Sequence, residues 1–171
     1  MIKNGCVHVY YGDGKGKTTA SVGLLMRCVG SGLKAAFTSF LKNYKSCELS
    51  AMSGIDIICD YPMDYFWFEL SEKERKEFQE KYKRLFIKLE DICGKYDIIV
   101  LDEVLNAVST GAVEEEMLIE FIKNKPESLE IVLTGSSMTD RIFAVSDYVT
   151  EMRCVKHPYK NGQCARVGIE M

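Results

Sequence analysis

Apolar and β-branched runs recur along the chain at residues 5–11, 34–41, 55–59, 96–101, 129–133 and 148–152, and the stretches between them carry helical spacing. Short apolar runs bounded by turn signals are the mark of strands buried on both faces. Their alternation with helices predicts an α/β fold with a mostly parallel sheet and crossover helices on both faces. A last run, residues 165–170, offers one more edge strand. The best-marked helix starts at Ser71, where the hydroxyl can cap the first turn while Glu74 reaches back in a capping box. It presents Phe78, Tyr82, Leu85, Phe86, Leu89 and Ile92 on one face, carries Lys76, Lys83, Lys88 and Glu90 on a solvated face, and meets its stop at Gly94.

Length and charge narrow the picture. The 171 residues suit one core rather than two, and no linker or repeat divides them, so residues 1–171 read as a single domain. With 22 basic and 25 acidic side chains the net charge is −3, which gives no broad positive field for a nucleic-acid backbone. Neither a secretory leader nor a span of about 20 apolar residues is visible, so no membrane partner is expected. Seven cysteines, an odd number without a C-x-x-C pair, read as reduced thiols of a cytoplasmic protein.

The chemistry begins where the first run ends. Gly12-Asp13-Gly14-Lys15-Gly16-Lys17-Thr18-Thr19 stands between a strand and the helical pattern of residues 20–29, which is the context of a phosphate-binding P-loop. Three glycines let successive backbone N–H groups face one anion at the positive end of the following helix. Lys17 offers a mobile cation to the phosphates and Thr18 a hydroxyl to magnesium, while Lys15 either joins them or stands solvated at the loop tip. The common pattern has glycine at the place of Tyr11. Some eighty residues on, Tyr96-Asp97-Ile98-Ile99-Val100-Leu101-Asp102-Glu103 reads as a buried strand ending in two carboxylates, of which Asp102 or Glu103 is expected to be a metal ligand, directly or through water.

These residues resemble the ATP:cob(I)alamin (corrinoid) adenosyltransferases that contain a P-loop. The likeness runs through the loop from Tyr11 to Thr19, Gly23 and Arg27, Phe40-Leu41-Lys42, and Leu101-Asp102-Glu103-Val104 with Asn106. It closes with Thr150-Glu151-Met152-Arg153, Val155-Lys156-His157 and Gly168-Ile169-Glu170. Tyr11 in place of glycine is itself the family's form.

The resemblance implies a P-loop NTPase-like (RecA-like) fold and transfer of the 5′-deoxyadenosyl group of ATP to the cobalt of a reduced corrinoid, with triphosphate leaving. It implies Mg²⁺ (or Mn²⁺), an electron donor for cobalt, a homodimer, and a nucleotide reversed relative to hydrolysing P-loop enzymes. Lys17, Thr18 and Glu103 would carry the catalysis, with Thr18, Asp102 and Glu103 around the metal and Arg27 added to the nucleotide contacts. Cobalt(I) is itself the nucleophile, so no Ser, Cys or His base is required.

The segment Tyr61-Pro62-Met63-Asp64-Tyr65-Phe66-Trp67-Phe68 has four aromatics in a row, from Tyr65 to Phe68. They are either ordinary core or a ligand face; the family places an aromatic-x-tryptophan element against the lower corrin face, and Tyr65 and Trp67 align with it. Thr134-Gly135-Ser136 departs from the family's Thr-Gly-Arg and removes a cation, for which Arg141 either substitutes or merely caps a helix. His157 reads as a structural hydrogen-bonder. Glu48 is either a cleft residue or an exposed loop acid. Two other functions share the loop and the acid pair: a small P-loop kinase or NTPase, and a nucleotide-dependent corrinoid sensor without turnover.

Overall fold

The computed structural model describes residues 3–42, 52–58, 63, 65–166 and 168–169. Six strands, β1 (Val7–Tyr11), β2 (Ala35–Ser39), β3 (Ile55–Ile57), β4 (Ile98–Asp102), β5 (Glu130–Gly135) and β6 (Tyr148–Glu151), form one sheet in the order β3-β2-β4-β5-β1-β6. Every pairing is parallel. The six main apolar runs each hold all or most of one of these strands. Cys59, Glu48, Tyr61, Pro62, Asp64 and Glu170 lie outside the described residues.

The helices are α1 (Lys17–Gly30), α2 (Glu72–Ile92), α3 (Val104–Ser109), α4 (Glu115–Asn124) and α5 (Asp140–Ala144). Parallel strands need crossovers, and the helices supply them on both faces. Alternation along the strands decides which side chain goes where. Ile99, Leu101, Ile131 and Leu133 join the larger core with Tyr82, Leu85, Phe86 and Leu89 of α2. Ile98, Val100 and Val132 face the smaller core with Leu25 and Cys28 of α1. Each fully buried large side chain contributes about 2 kcal/mol by removal from water.

Helix α2 follows its sequence signature closely. Ser71 N donates to Glu74 Oε2 at 2.8 Å and Ser71 Oγ accepts from Glu74 N at 3.4 Å, the reciprocal pair of a capping box. The exposed Glu74 carboxylate is held below the usual range by these Ser71 donors. Gly94 does not act as a left-handed stop; it sits inside a 3-10 turn, Cys93–Lys95, into which the helix tightens.

A second correction concerns the C-terminus. The described residues of the run 165–170 form no strand: Ala165 and Arg166 are irregular, and Ile169 N closes a turn on Arg166 O at 3.2 Å with Gly168 at φ 76°. The sheet ends at β6. Its four residues are exposed or half-buried.

Candidate active site

The strand order explains why the loop after β1 and the carboxylates after β4 meet although β5 stands between their strands. All six strands point the same way, so the chain segments leaving their C-terminal ends gather along one edge, where ligands of open α/β sheets bind.

The P-loop is built from backbone. Gly12 and Gly16 have φ of 114° and 111°, open to glycine and strained for other residues. Gly14 is required for a different reason, since a Cβ there would lie 2.6 Å from Met152 O. Gly14 N donates to that carbonyl at 2.7 Å, and Asp13 Oδ1 accepts from Cys154 N at 2.9 Å, so the chain leaving β6 braces the loop. Tyr11 still pairs in register with Gly135 and Glu151 and keeps an ordinary strand conformation, so its position has no need of glycine. Gly16 gives α1 no side-chain cap, which leaves the first-turn amides at Lys17, Thr18 and Thr19 for an anion. The Lys17 ammonium lies across the loop, donating to Gly12 O and Gly14 O at 2.7 Å each.

Asp102 is completely buried. Such a carboxylate is costly unless its oxygens are satisfied. Thr18 Oγ1 donates to Oδ1 at 2.9 Å and Thr134 Oγ1 donates to the same oxygen at 2.7 Å. Lys42 Nζ donates to Oδ2 at 2.7 Å. Glu103 lies one residue further, half-buried, with its amide donating to Thr134 Oγ1 at 2.8 Å and its carboxylate accepting from Asn106 Nδ2. Hard oxygen donors from Thr18, Asp102 and Glu103 thus converge, a set that suits a magnesium-sized cation.

Two non-glycine residues among those described have positive φ, Leu41 at 56° and Glu103 at 60°. Both flank this centre. Left-handed backbone costs such residues about 1–2 kcal/mol each, and the surroundings hold it: Leu41 N donates to Tyr82 Oη at 3.0 Å, and Phe40 N to Asp102 O at 2.9 Å.

A cavity of about 760 Å³ opens over the loop. Lys15, Lys17, Thr18 and Glu103 line one wall, and the C-terminal segment with His157, Tyr159 and Cys164 lines the other. His157 Nδ1 accepts from Tyr159 N at 3.2 Å, the structural bond its sequence context favoured.

Other sequence-derived candidates lie apart from this centre. Arg27 is exposed in the last turn of α1, ten residues or about 15 Å of helix from Lys17, and the fold of one chain does not bring it to the loop. Arg141 pairs with Glu115 at 3.0 Å and with Glu116, both on α4, and fills no place at the phosphates. Tyr65, Phe66 and Phe68 are 66%, 69% and 73% exposed, so they are not core. Trp67 is half-buried: its indole N–H donates to Thr110 O at 3.0 Å and the Arg75 guanidinium stands 5.9 Å from its ring.

Sequence reasoning gave no role to Thr134, Asn106 or Lys42. Asn106 Oδ1 accepts from Ser136 N at 2.7 Å and from Ser136 Oγ at 2.6 Å, so the serine ties the end of β5 to α3. One signal was available for two of them. Thr134 and Lys42 lie at or just beyond strand C-termini, where the sheet rule puts ligand-facing residues.

The family model described as ATP:corrinoid adenosyltransferase BtuR/CobO/CobP matches residues 3–171. A corrinoid adenosyltransferase of Sinorhizobium sp is 30% identical over 178 residues, covering 98% of this chain and 81% of that protein. The corrinoid adenosyltransferases of Escherichia coli K12 and Salmonella typhimurium LT2 are each 27% identical, covering 98% of this chain and 86% of theirs.

Proposed function

The chain belongs to the ATP:corrinoid adenosyltransferase family, and from that premise we propose how its residues carry adenosyl from ATP to a corrinoid. It is a transferase. The reduced corrinoid, as cob(I)alamin or cobyrinic acid diamide, attacks carbon 5′ of ATP with the cobalt electron pair. The C5′–O bond breaks and its electrons leave with triphosphate. No side-chain nucleophile or base is asked of the protein, which has only to place the two substrates and bear the departing charge.

The observation that carries this reading is the phosphate end of the cavity. The glycine-shaped loop, the uncapped start of α1 and Lys17 converge there on one anion site, with the Thr18–Asp102 pair beneath. Lys17 exchanges its loop carbonyls for phosphate oxygens as charge grows on the leaving group. Within the loop of residues 12–19 the first-turn amides of Lys17, Thr18 and Thr19 hold the triphosphate, while Gly12, Gly14 and Gly16 set the loop's shape, Asp13 fixes it through Cys154 and Lys15 faces the cavity. Thr18, Asp102 and Glu103 fit a divalent cation and would hold Mg²⁺ or Mn²⁺, which when bound supplies further neutralisation of the triphosphate. Glu103 would be the catalytic ligand of that ion.

The aromatic stretch takes the corrinoid side. Trp67 and Tyr65 offer apolar faces against the corrin, and a separate electron donor reduces the cobalt. A cytoplasmic homodimer is the proposed working form. No helix among the described residues is long and apolar enough to cross a membrane. In a dimer, Arg27, remote from the loop of its own chain, is available to the nucleotide of the partner.

Anaerobic incubation with Mg·ATP and chemically reduced cob(I)alamin tests the reading. A light-sensitive alkylcobalamin with stoichiometric triphosphate is expected. ADP without alkylation would make the site that of a phosphoryl-transfer enzyme, and tight corrinoid binding with ATP intact would make it a sensor.

A further inference from the structure

The Lys42 ammonium stands 2.7 Å from Asp102 Oδ2, 3.2 Å from Thr18 Oγ1 and 3.7 Å from Glu103 Oε1. These are the three side chains whose oxygens suit a divalent cation. The positive-φ turn at Leu41 immediately precedes the lysine, and the second such residue, Glu103, is one of its partners. Backbone strain on both sides of a contact, together with an Asp102 side chain only 1% exposed, marks an arrangement that the fold imposes. Lys42 also lines the cavity over the P-loop, with about a third of its side chain exposed toward it.

We propose that Lys42 is a tethered cation that occupies the place of the metal among Thr18, Asp102 and Glu103 and exchanges it for the triphosphate when a divalent cation binds. The proposal rests on the function given above.

The charge argument is direct. A buried carboxylate beside a second one needs positive charge at all times, and Lys42 supplies it before substrate arrives. An ammonium and a divalent cation cannot share the same oxygens, because at a separation near 4 Å their repulsion is severe in a partly buried site. The lysine stem is flexible, its ammonium is a compact charge, and the cavity it faces holds the triphosphate, whose charge one divalent cation does not fully neutralise. Lys42 is therefore a positioning residue in the free protein and becomes a phosphate contact in the complex. One strand end thus joins the arrival of metal to the grip on the leaving group.

The test compares Lys42→Gln and Lys42→Arg with the natural chain. Mn²⁺ binding without nucleotide is followed by the paramagnetic resonance of the free ion, and tripolyphosphate binding is followed by calorimetry with the metal chelated. Removing the resident charge is expected to tighten Mn²⁺ about tenfold and to weaken tripolyphosphate about tenfold, while Lys42→Arg keeps both near the natural values. Mn²⁺ affinity that is unchanged or lower in Lys42→Gln would overturn the proposal.

Should Lys42→Gln fail to fold, the natural chain gives a second reading. Acetic anhydride labelling of Lys42, followed by mass spectrometry, is expected to speed up with Mn²⁺ alone and slow again when tripolyphosphate is added. A labelling rate indifferent to Mn²⁺ overturns the exchange. Both measurements are independent of adenosyl transfer, so a natural chain that alkylates cobalamin while Lys42 ignores Mn²⁺ defeats this proposal and leaves the function standing.

Discussion

The phosphate loop and the aromatic stretch proposed for the corrinoid are held in opposite ways. At the phosphate end, a buried carboxylate, two threonine hydroxyls and a lysine form a closed set of bonds, and the loop above them is braced by the chain leaving β6. At the aromatic end, three of the four rings from Tyr65 to Phe68 face solvent, and Trp67 alone is pinned, by its indole N–H and by Arg75. Phe66 and Phe68 stack on each other, with ring centres 5.4 Å apart. A small, highly charged anion needs fixed dipoles, and one chain can supply them. A large flat ligand needs apolar area, which a chain can offer as exposed rings that gain their contacts only on binding.

The sharpest break of this contrast is Lys17→Ala. Among the described residues its ammonium bonds to the loop's own carbonyls, so folding survives while kcat/KM falls by about a thousandfold or more, read in the anaerobic alkylation assay. A loss below about tenfold would mean that the amides and metal carry the leaving group without it. Next is Gly14→Ala, whose new methyl meets the Met152 carbonyl carbon at 2.7 Å. The brace must shift, and ATP affinity measured by calorimetry should fall about ten- to a hundredfold, with about 1–3 kcal/mol of stability lost in urea unfolding.

The aromatic end should respond in parts. Trp67→Ala is expected to slow the step from cobalt(II) to cobalt(I) while ATP affinity stays within about twofold, and to cost about 2 kcal/mol of stability through the lost indole bond and packing. Phe68→Ala should change stability by less than about 0.5 kcal/mol. If the two variants are equally stable, the pinned and the free rings do not differ as described. An untouched cobalt(II) step in Trp67→Ala would remove the ring from the corrinoid face.

The smallest expected effect separates the cavity's far wall from the core. Burial pushes the Cys28 and Cys93 thiols up and shields them, whereas Cys164 is exposed on the cavity wall. Iodoacetamide should label Cys164 well before either buried thiol, and ATP should slow that labelling by about threefold as it fills the cavity. Labelling indifferent to ATP would place the nucleotide away from the C-terminal wall.

Much of the molecule was legible as sequence wherever local spacing carries the physics. Strands β1, β2, β4 and β5 match apolar runs because a parallel strand inside the sheet, covered on both faces, is apolar over most of its length, whereas β6 follows its run at an exposed edge. The α2 cap follows from Ser71 and Glu74 lying three residues apart, and the P-loop from glycines set between a strand and a helix. The run after Ala165 failed as a strand because nothing local distinguishes an edge strand from an apolar segment that turns, as Arg166 and Ile169 do. The place of Arg27 was also not legible locally. A helix position says how far a residue lies from the loop only once the helix is laid out, and ten residues carried it away.

The sequence by itself determined the class of fold, the anion loop and the acid pair, because each is written in residues close together in the chain. Tertiary structure alone decided that Asp102 is the buried partner of Thr18, that Thr134 and Lys42 complete its bonds, and that the C-terminal segment walls the cavity. Those choices depend on residues 84, 60 and 32 positions from Asp102 gathering at one edge of a sheet. Burial and the pairing of charge are properties of that edge, and no local pattern encodes which distant side chain will satisfy a given carboxylate.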